Sequence, residues 1–134
     1  MEQKDYMLRE IEKIGLIINS IRQKLFGGGD NLSLTTQEQF QTLSERLYDE
    51  INFDLDKFLM SSKEDSINYI SAFNGFSVEN IELLAEMVSE KYPSKALQLL
   101  EYCNSLSKTY SFEREQMIAK LTSNINTTLS PKIS

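Results

Sequence analysis

The fold class follows from the stretch Val78-Glu79-Asn80-Ile81-Glu82-Leu83-Leu84-Ala85-Glu86-Met87-Val88. Four of its apolar residues recur at i, i+3, i+4 and i+7, the spacing of one helix face: Ile81, Leu84, Ala85 and Val88. The next two segments repeat the pattern, with Ala96, Leu99, Leu100, Cys103 and Leu106, then with Met117, Ile118, Leu121 and Ile125. Because short joints separate the three segments, consecutive helices are expected to lie antiparallel and share their apolar stripes.

The composition agrees with a helical domain. A chain of 134 residues is long enough for one sizeable core, and 40% hydrophobic with 25% charged residues is ordinary for a globular protein. Five Gly and two Pro are too few for the many turns of a strand-rich fold. We therefore predict an all-α antiparallel bundle of about six helices.

Residues 5–26 predict one amphipathic helix with a heptad seam. Its apolar residues step by four, three, four, three and four positions: Met7, Ile11, Ile14, Ile18, Ile21 and Leu25. Residues 1–26 carry five basic and four acidic side chains, a net +1, so the rest of this −6 chain carries −7. The seam predicts an oligomerisation arm, although docking of the helix on its own bundle remains open.

Glycines, helix caps and a proline divide the remaining chain into segments. Three glycines in residues 27–34 predict a flexible linker, and residues 35–129 form the bundle before a frayed tail at 130–134. Two capping boxes are expected, one from Thr35 to Glu38 and one from Ser61 to Glu64. Further helix N-caps are predicted at three positions: Asp54, Ser77 and Ser111. Pro93 is expected in the first turn of its helix.

Charge, cysteine content and hydropathy restrict the cellular setting. A net charge of −6 disfavours nucleic-acid binding, which depends on cations displacing counterions from phosphates. The single Cys103 can form no intramolecular disulfide and fits a reducing compartment. The N-terminal residues do not have the pattern of a signal peptide, and no apolar run approaches the roughly 20 residues that span a bilayer. A cytoplasmic location is therefore expected.

Catalytic chemistry has little support in the sequence. The chain contains no His, which is the commonest general base and metal ligand, and Cys103 lies on an apolar helix face. Four glutamates line one helix face, which is typical of a solvated surface, although such a ridge also suits a basic partner or divalent cations: Glu79, Glu82, Glu86 and Glu90. We predict no catalytic, cofactor-binding or metal-binding residue. Lys108, Tyr110 and Arg114 surround the last helix joint, where they form a candidate polar or anion patch.

Two resemblances concern the fold. The pattern Ala96-Leu97-Gln98-Leu99-Leu100 with Cys103 resembles the second helix of a tetratricopeptide hairpin, whereas Leu84 and Met87 replace the usual Gly and Tyr of the first helix. This indicates one degenerate hairpin rather than a repeat array. The ends of the chain, Asp5-Tyr-Met-Leu-Arg-Glu-Ile-Glu-Lys-Ile-Gly15 and Ser107-Lys-Thr-Tyr-Ser-Phe-Glu-Arg114, are similar to a family of short uncharacterised bacterial proteins. The family combines an amphipathic N-terminal helix with a tetratricopeptide-like half, and no catalytic residue carries over from it.

Together these features favour a non-enzymatic helical module for protein–protein interaction or self-assembly. The expected partner is a second copy bound through residues 5–26. The alternative is a peripheral membrane protein in which the same helix lies in the membrane interface.

Overall fold

A computed structural model describes residues 2–26 and 36–129, with side chains over residues 5–22 and 37–126. In these ranges the chain forms seven helices and no strand, which confirms the all-α class. The helices are α1 (Glu2–Phe26), α2 (Thr36–Ile51), α3 (Leu55–Met60), α4 (Lys63–Ser71), α5 (Val78–Val88), α6 (Pro93–Leu106) and α7 (Phe112–Leu129). The predicted linker 27–34, the cap at Thr35, the tail 130–134 and the side chain of Leu25 lie outside the described residues.

Helix α1 contacts two other helices of the bundle. It packs against α2 on one side and α5 on the other. Helix α5 packs in turn on α6, and α6 on α7. The short helices α3 and α4 contact each other, α3 contacting α2 and α4 contacting α6. The N-terminal helix is therefore part of the bundle and not a separate arm.

One continuous hydrophobic core joins these helices. The apolar residues predicted for α5 and α6 are buried in it: Ile81, Leu84, Ala85, Val88, Ala96, Leu99, Leu100 and Cys103. The exception is Leu106, which is half exposed at the end of α6. An aromatic cluster occupies the side near α3 and α4. Its centre is Phe53, with ring centroids 4.8–5.7 Å from four others: Phe58, Tyr69, Phe73 and Phe76.

Helix ends follow the capping chemistry of the sequence, with one correction. The predicted caps at Asp54, Ser77 and Ser111 each accept a backbone N–H three residues ahead, at 3.0–3.2 Å. The N-cap of α4 is Ser62 and not Ser61, because Ser62 Oγ accepts the N–H of Asp65. The Ser61 hydroxyl instead donates to the carbonyl of Lys57 in the helix before it.

The joint between α2 and α3 reverses the chain through Asn52. Its φ of 61° is left-handed, a conformation that asparagine tolerates better than most residues. The N–H of Asn52 donates to the carbonyl of Tyr48, and the N–H of Phe53 donates to the carbonyl of Leu47. These bonds satisfy carbonyls in the last turn of α2 and direct Phe53 into the aromatic cluster.

Candidate interaction surfaces

The seam of α1 is mostly buried within its own chain. Ile14, Ile18 and Ile21 are at most 1% exposed, packed with the core residues of the bundle. In this structure they offer no surface to a partner, as in the intramolecular docking that the sequence left open, and self-association through them stays a prediction. The heptad spacing suits a neighbouring helix of the same chain as well as a helix of another. Met7 and Ile11, nearer the N-terminus, are exposed and half-buried.

Polar contacts and close backbone approach fix α1 against α5. The side-chain amide of Asn80 donates to the carbonyl of Ile11 at 2.9 Å and to the carbonyl of Gly75 at 2.8 Å. A Cβ on Gly75 would lie 2.7 Å from Ile14 Cδ1 and 3.0 Å from the backbone carbon of Glu10. Only glycine permits this approach without a shift of α1. Asn80 was missed as a docking residue in the sequence.

The remaining exposed surface of α1 is amphipathic. Its large exposed apolar side chains are Tyr6, Met7, Leu8 and Leu16. A shallow cleft of about 350 Å³ lies beside Leu16, between α1 and α2, and is edged by charged residues that include Arg9 and Lys13. The ion pair from Arg22 to Glu86, at 3.1 Å, adds a further link between α1 and α5.

Arg114 is a buried structural residue and not part of an open anion patch. It is 4% exposed, and its Nη1 contacts Glu82 Oε2 at 2.6 Å. Its Nε donates to Asn104 Oδ1 at 2.7 Å, and its Nη2 donates to the carbonyl of Thr109 at 3.1 Å. The guanidinium thereby links α5, α6, the joint and α7. The predicted patch of Lys108, Tyr110 and Arg114 is corrected accordingly, because only the first two remain exposed.

The α6–α7 corner, defined here as residues 106–112, exposes large apolar side chains. Leu106 is 50% exposed, Tyr110 72% and Phe112 60%. A chain advances at most about 3.6 Å per residue, so the Cα of Tyr110 lies within about 7 Å of Phe112 and about 14 Å of Leu106. The three side chains thus belong to one small region. The helical pattern of the sequence places Leu106 on the apolar face of its helix, but Leu106 is exposed.

Hydrogen bonds hold the backbone of the α6–α7 corner. The N–H of Ser107 donates to the carbonyl of Cys103 at 2.9 Å, and the N–H of Thr109 donates to Ser107 Oγ at 3.2 Å. Arg114 binds the carbonyl of Thr109, and Ser111 caps α7. Hydrogen bonds therefore hold the backbone of the corner at both ends, and the exposed apolar side chains project from it.

Cys103 is a core residue, as predicted. It is fully buried, and its Sγ lies 3.7 Å from the carbonyl of Val78. Burial, assisted by the negative charge of Glu82, raises the pKa of the Cys103 thiol to about 12. The thiol is therefore protonated at neutral pH and is a poor nucleophile.

Lys95 and Ser66 form a buried polar centre that the sequence analysis missed. Lys95 Nζ donates to Ser66 Oγ at 2.7 Å and to the carbonyl of Ser61 at 2.8 Å. Ser66 donates in turn to the carbonyl of Phe58. The lysine thus places a cation at the C-terminal end of α3, where carbonyls are left without helical partners. Burial lowers the pKa of Lys95.

The geometry of this pair suits structure better than nucleophilic chemistry. A serine activated by lysine must give its proton to a neutral amine. Here the Ser66 hydroxyl points its hydrogen at a backbone carbonyl and accepts from Lys95 instead. Ser66 is fully buried as well, so a substrate has no access to its oxygen in this conformation.

A second shallow cleft of about 350 Å³ lies among α2, α3 and the α5–α6 joint. Phe40 and Tyr92 form its aromatic wall, with ring centroids 5.5 Å apart, and Lys91 Nζ lies 5.5 Å from the Phe40 centroid. Glu45 and Asp56 add carboxylates of opposite charge to Lys91. This mixture of signs on an open surface selects no single class of ligand.

The glutamates of α5 and Glu90, which follows that helix, do not form a uniform acidic face. Glu82 is bound by Arg114 and Glu86 by Arg22, while Glu79 and Glu90 are exposed. Over the described residues, no three acidic or cysteine side chains gather as a metal site.

No protein-family model, curated protein or solved structure matches this chain. Within the helices that the structure describes, none combines the length and hydropathy needed to cross a bilayer.

Proposed function

We propose that this protein is a non-enzymatic helical module that binds another protein through its α6–α7 corner. The observation that carries the proposal is the exposure of Leu106, Tyr110 and Phe112 on a hydrogen-bonded joint. Aromatic residues are enriched among the side chains that dominate binding energy at interfaces. A fixed backbone also lowers the conformational entropy lost on binding.

The chemistry of the described residues supports a binding role over a catalytic one. The chain has no His, and its single thiol is buried with a raised pKa. Its serine–lysine pair is buried, with the hydroxyl hydrogen already bonded to a carbonyl. The binding role that we propose rests on the exposed apolar side chains at the corner, whose backbone is held by hydrogen bonds.

Membrane attachment through residues 5–26 has weaker support. Most of the apolar face that would enter a membrane is packed against α2 and α5, so α1 would first have to leave the bundle. The same burial weakens self-association through the α1 seam. The α6–α7 corner requires no such rearrangement.

A photo-activated cross-linker tests the proposal. Benzoylphenylalanine is introduced at Tyr110, or at Met60 as the control, and the protein is expressed in cells that naturally produce it. Met60 is 82% exposed at the end of α3, so it samples solvent without belonging to the corner. We expect discrete cross-linked proteins from position 110, weakened by Phe112→Ser, and none from position 60. Equal labelling from both positions would refute the corner as a binding surface.

A further inference from the structure

We propose that the partner bound at the α6–α7 corner is a second copy of this chain, in a two-fold symmetric contact; this inference depends on the proposed function. Two of the exposed apolar residues, Tyr110 and Phe112, are flanked in sequence by charges of opposite sign. Lys108 precedes Tyr110 by two residues, and Glu113 follows it by three. Both side chains are exposed, and within the described part of the chain neither forms an ion pair.

The absence of local partners distinguishes these two charges from their neighbours. Arg114 is bound by Glu82 and Asn104, and Glu115 Oε2 accepts from Asn104 Nδ2 at 3.2 Å. The charges that stabilise the joint are thus engaged with one another. Lys108 and Glu113 face solvent, one before Tyr110 and the other after Phe112 in the sequence.

Two-fold symmetry places these charges in complementary positions. In an isologous contact, residue i of one subunit meets residue j of the other, and j meets i. Tyr110, the most exposed aromatic side chain of the corner, lies between positions 108 and 113 in the sequence. A two-fold axis that passes between the two charges brings Lys108 of each copy toward Glu113 of the other and brings the two copies of Tyr110 together. The surface is therefore complementary to itself in both charge and hydrophobicity.

The expected association is weak and reversible. Three apolar side chains per copy make a small interface, and small interfaces belong to transient complexes. The two bodies are also both acidic, so they repel one another beyond the contact. We expect the dimer to form over a micromolar to millimolar range of protein concentration.

Sedimentation equilibrium of the purified chain tests this proposal over a series of concentrations. Tyr110→Ser should weaken association at least tenfold, since it removes an aromatic contact twice by symmetry. Lys108→Glu and Glu113→Lys should each weaken it by roughly tenfold, because each places like charges opposite one another at two positions. The double exchange Lys108→Glu with Glu113→Lys should return the dissociation constant to within about threefold of the wild type.

Two matched controls separate the corner from general effects. Lys120→Glu makes the same charge change on the exposed side of α7, and Met60→Ser removes an exposed apolar side chain from α3. Both should leave the dissociation constant unchanged. Circular dichroism of every variant should show the wild-type helix signal.

The outcomes separate this inference from the proposed function. A chain that stays monomeric at all concentrations overturns the second copy as partner. If position 110 then still cross-links to a different protein in cells, the proposed function survives. A dimer insensitive to Tyr110→Ser, or one that the double charge exchange fails to restore, overturns the symmetric corner contact.

Discussion

The side-chain amide of Asn80 in α5 donates to the backbone carbonyl of Ile11 in α1 across 2.9 Å, and the two residues lie 69 positions apart in sequence. Its second hydrogen binds the carbonyl of Gly75, and its own oxygen lies beside Gly15. A buried amide of this kind specifies the register of α1 on α5, because a slip along the helix would leave its polar atoms unpaired.

Asn80→Ala tests this link. Two carbonyls would lose a buried donor, so we expect a loss of about 1–3 kcal/mol in the free energy of unfolding. Urea denaturation measures it. Asn68→Ala is the control, since Asn68 is exposed on α4, and it should change stability by less than about 0.5 kcal/mol. Equal effects from the two substitutions would show that Asn80 does not fix α1.

Two glycines at the same contact should respond differently to alanine. The Cβ of Gly75→Ala would approach both a side chain and the backbone of α1 to 3.0 Å or less, so we expect a loss of about 1–3 kcal/mol from overpacking. In Gly15→Ala the nearest atom is Asn80 Oδ1 at 3.2 Å. The gain in helix propensity, up to about 1 kcal/mol, should offset that milder contact. Thermal unfolding measures the loss of stability in both variants. A larger loss at Gly15 than at Gly75 would contradict the close approach of Gly75 to α1.

The sequence predicts the helices and most of their ends, because periodicity and capping are local properties. It does not decide which surface covers α1, since the spacing of Ile14, Ile18 and Ile21 suits a helix of either the same or another chain. That choice depends on Asn80 and Gly75, whose contacts with α1 come from distant positions.

The buried polar residues did leave a signal in the sequence. Asn80 precedes Leu84 by four positions and Val88 by eight, so it shares their helix face. Lys95 stands in the same relation to Leu99 and Cys103. Arg114 likewise precedes Ile118 by four and Leu121 by seven. A polar residue on an apolar stripe marks a buried polar contact, but its partner comes from elsewhere in the chain and is invisible locally.

The pair of Arg114 and Glu82 should be important for stability and for the corner. Arg114→Met leaves Glu82 partly buried without its counter-charge, so we expect a loss of about 3–5 kcal/mol. The double variant with Glu82→Gln should lose less than the sum of the two single variants, and a double-mutant cycle in urea measures that coupling. Strict additivity would contradict a direct interaction. Hydrogen exchange at Thr109, whose N–H donates to Ser107 Oγ, should also accelerate in Arg114→Met, because the corner loses its anchor.

Cys103 should react slowly with thiol reagents in the folded protein. Its sulfur is buried, and a pKa of about 12 leaves little thiolate at mildly alkaline pH. Labelling should therefore follow the opening of the bundle, and denaturation in urea should make it rapid. Fast labelling of the native protein, at the rate of the denatured control, would contradict the burial. Cys103→Ala should cost stability while leaving association at the corner unchanged.

Lys95 gives the fold a pH dependence of known sign. Its folded pKa lies below the ordinary 10.5, so the folded state disfavours the charged form relative to the unfolded chain. The resulting penalty is present below the folded pKa and is relieved as pH rises from there to 10.5. Lys95→Met lacks this pH-dependent penalty, so the free energy of unfolding of the wild type should increase relative to that of Lys95→Met as pH rises from neutral toward 10.5.

Cys103 has the opposite tendency. Its raised pKa makes the fold lose stability as pH rises above 9.0, but Cys103 is present in both proteins, so its contribution cancels in their difference. Urea denaturation of the pair at several pH values measures that difference. A wild type that instead weakens relative to Lys95→Met would mean that the folded state favours the charged amine, contrary to its burial.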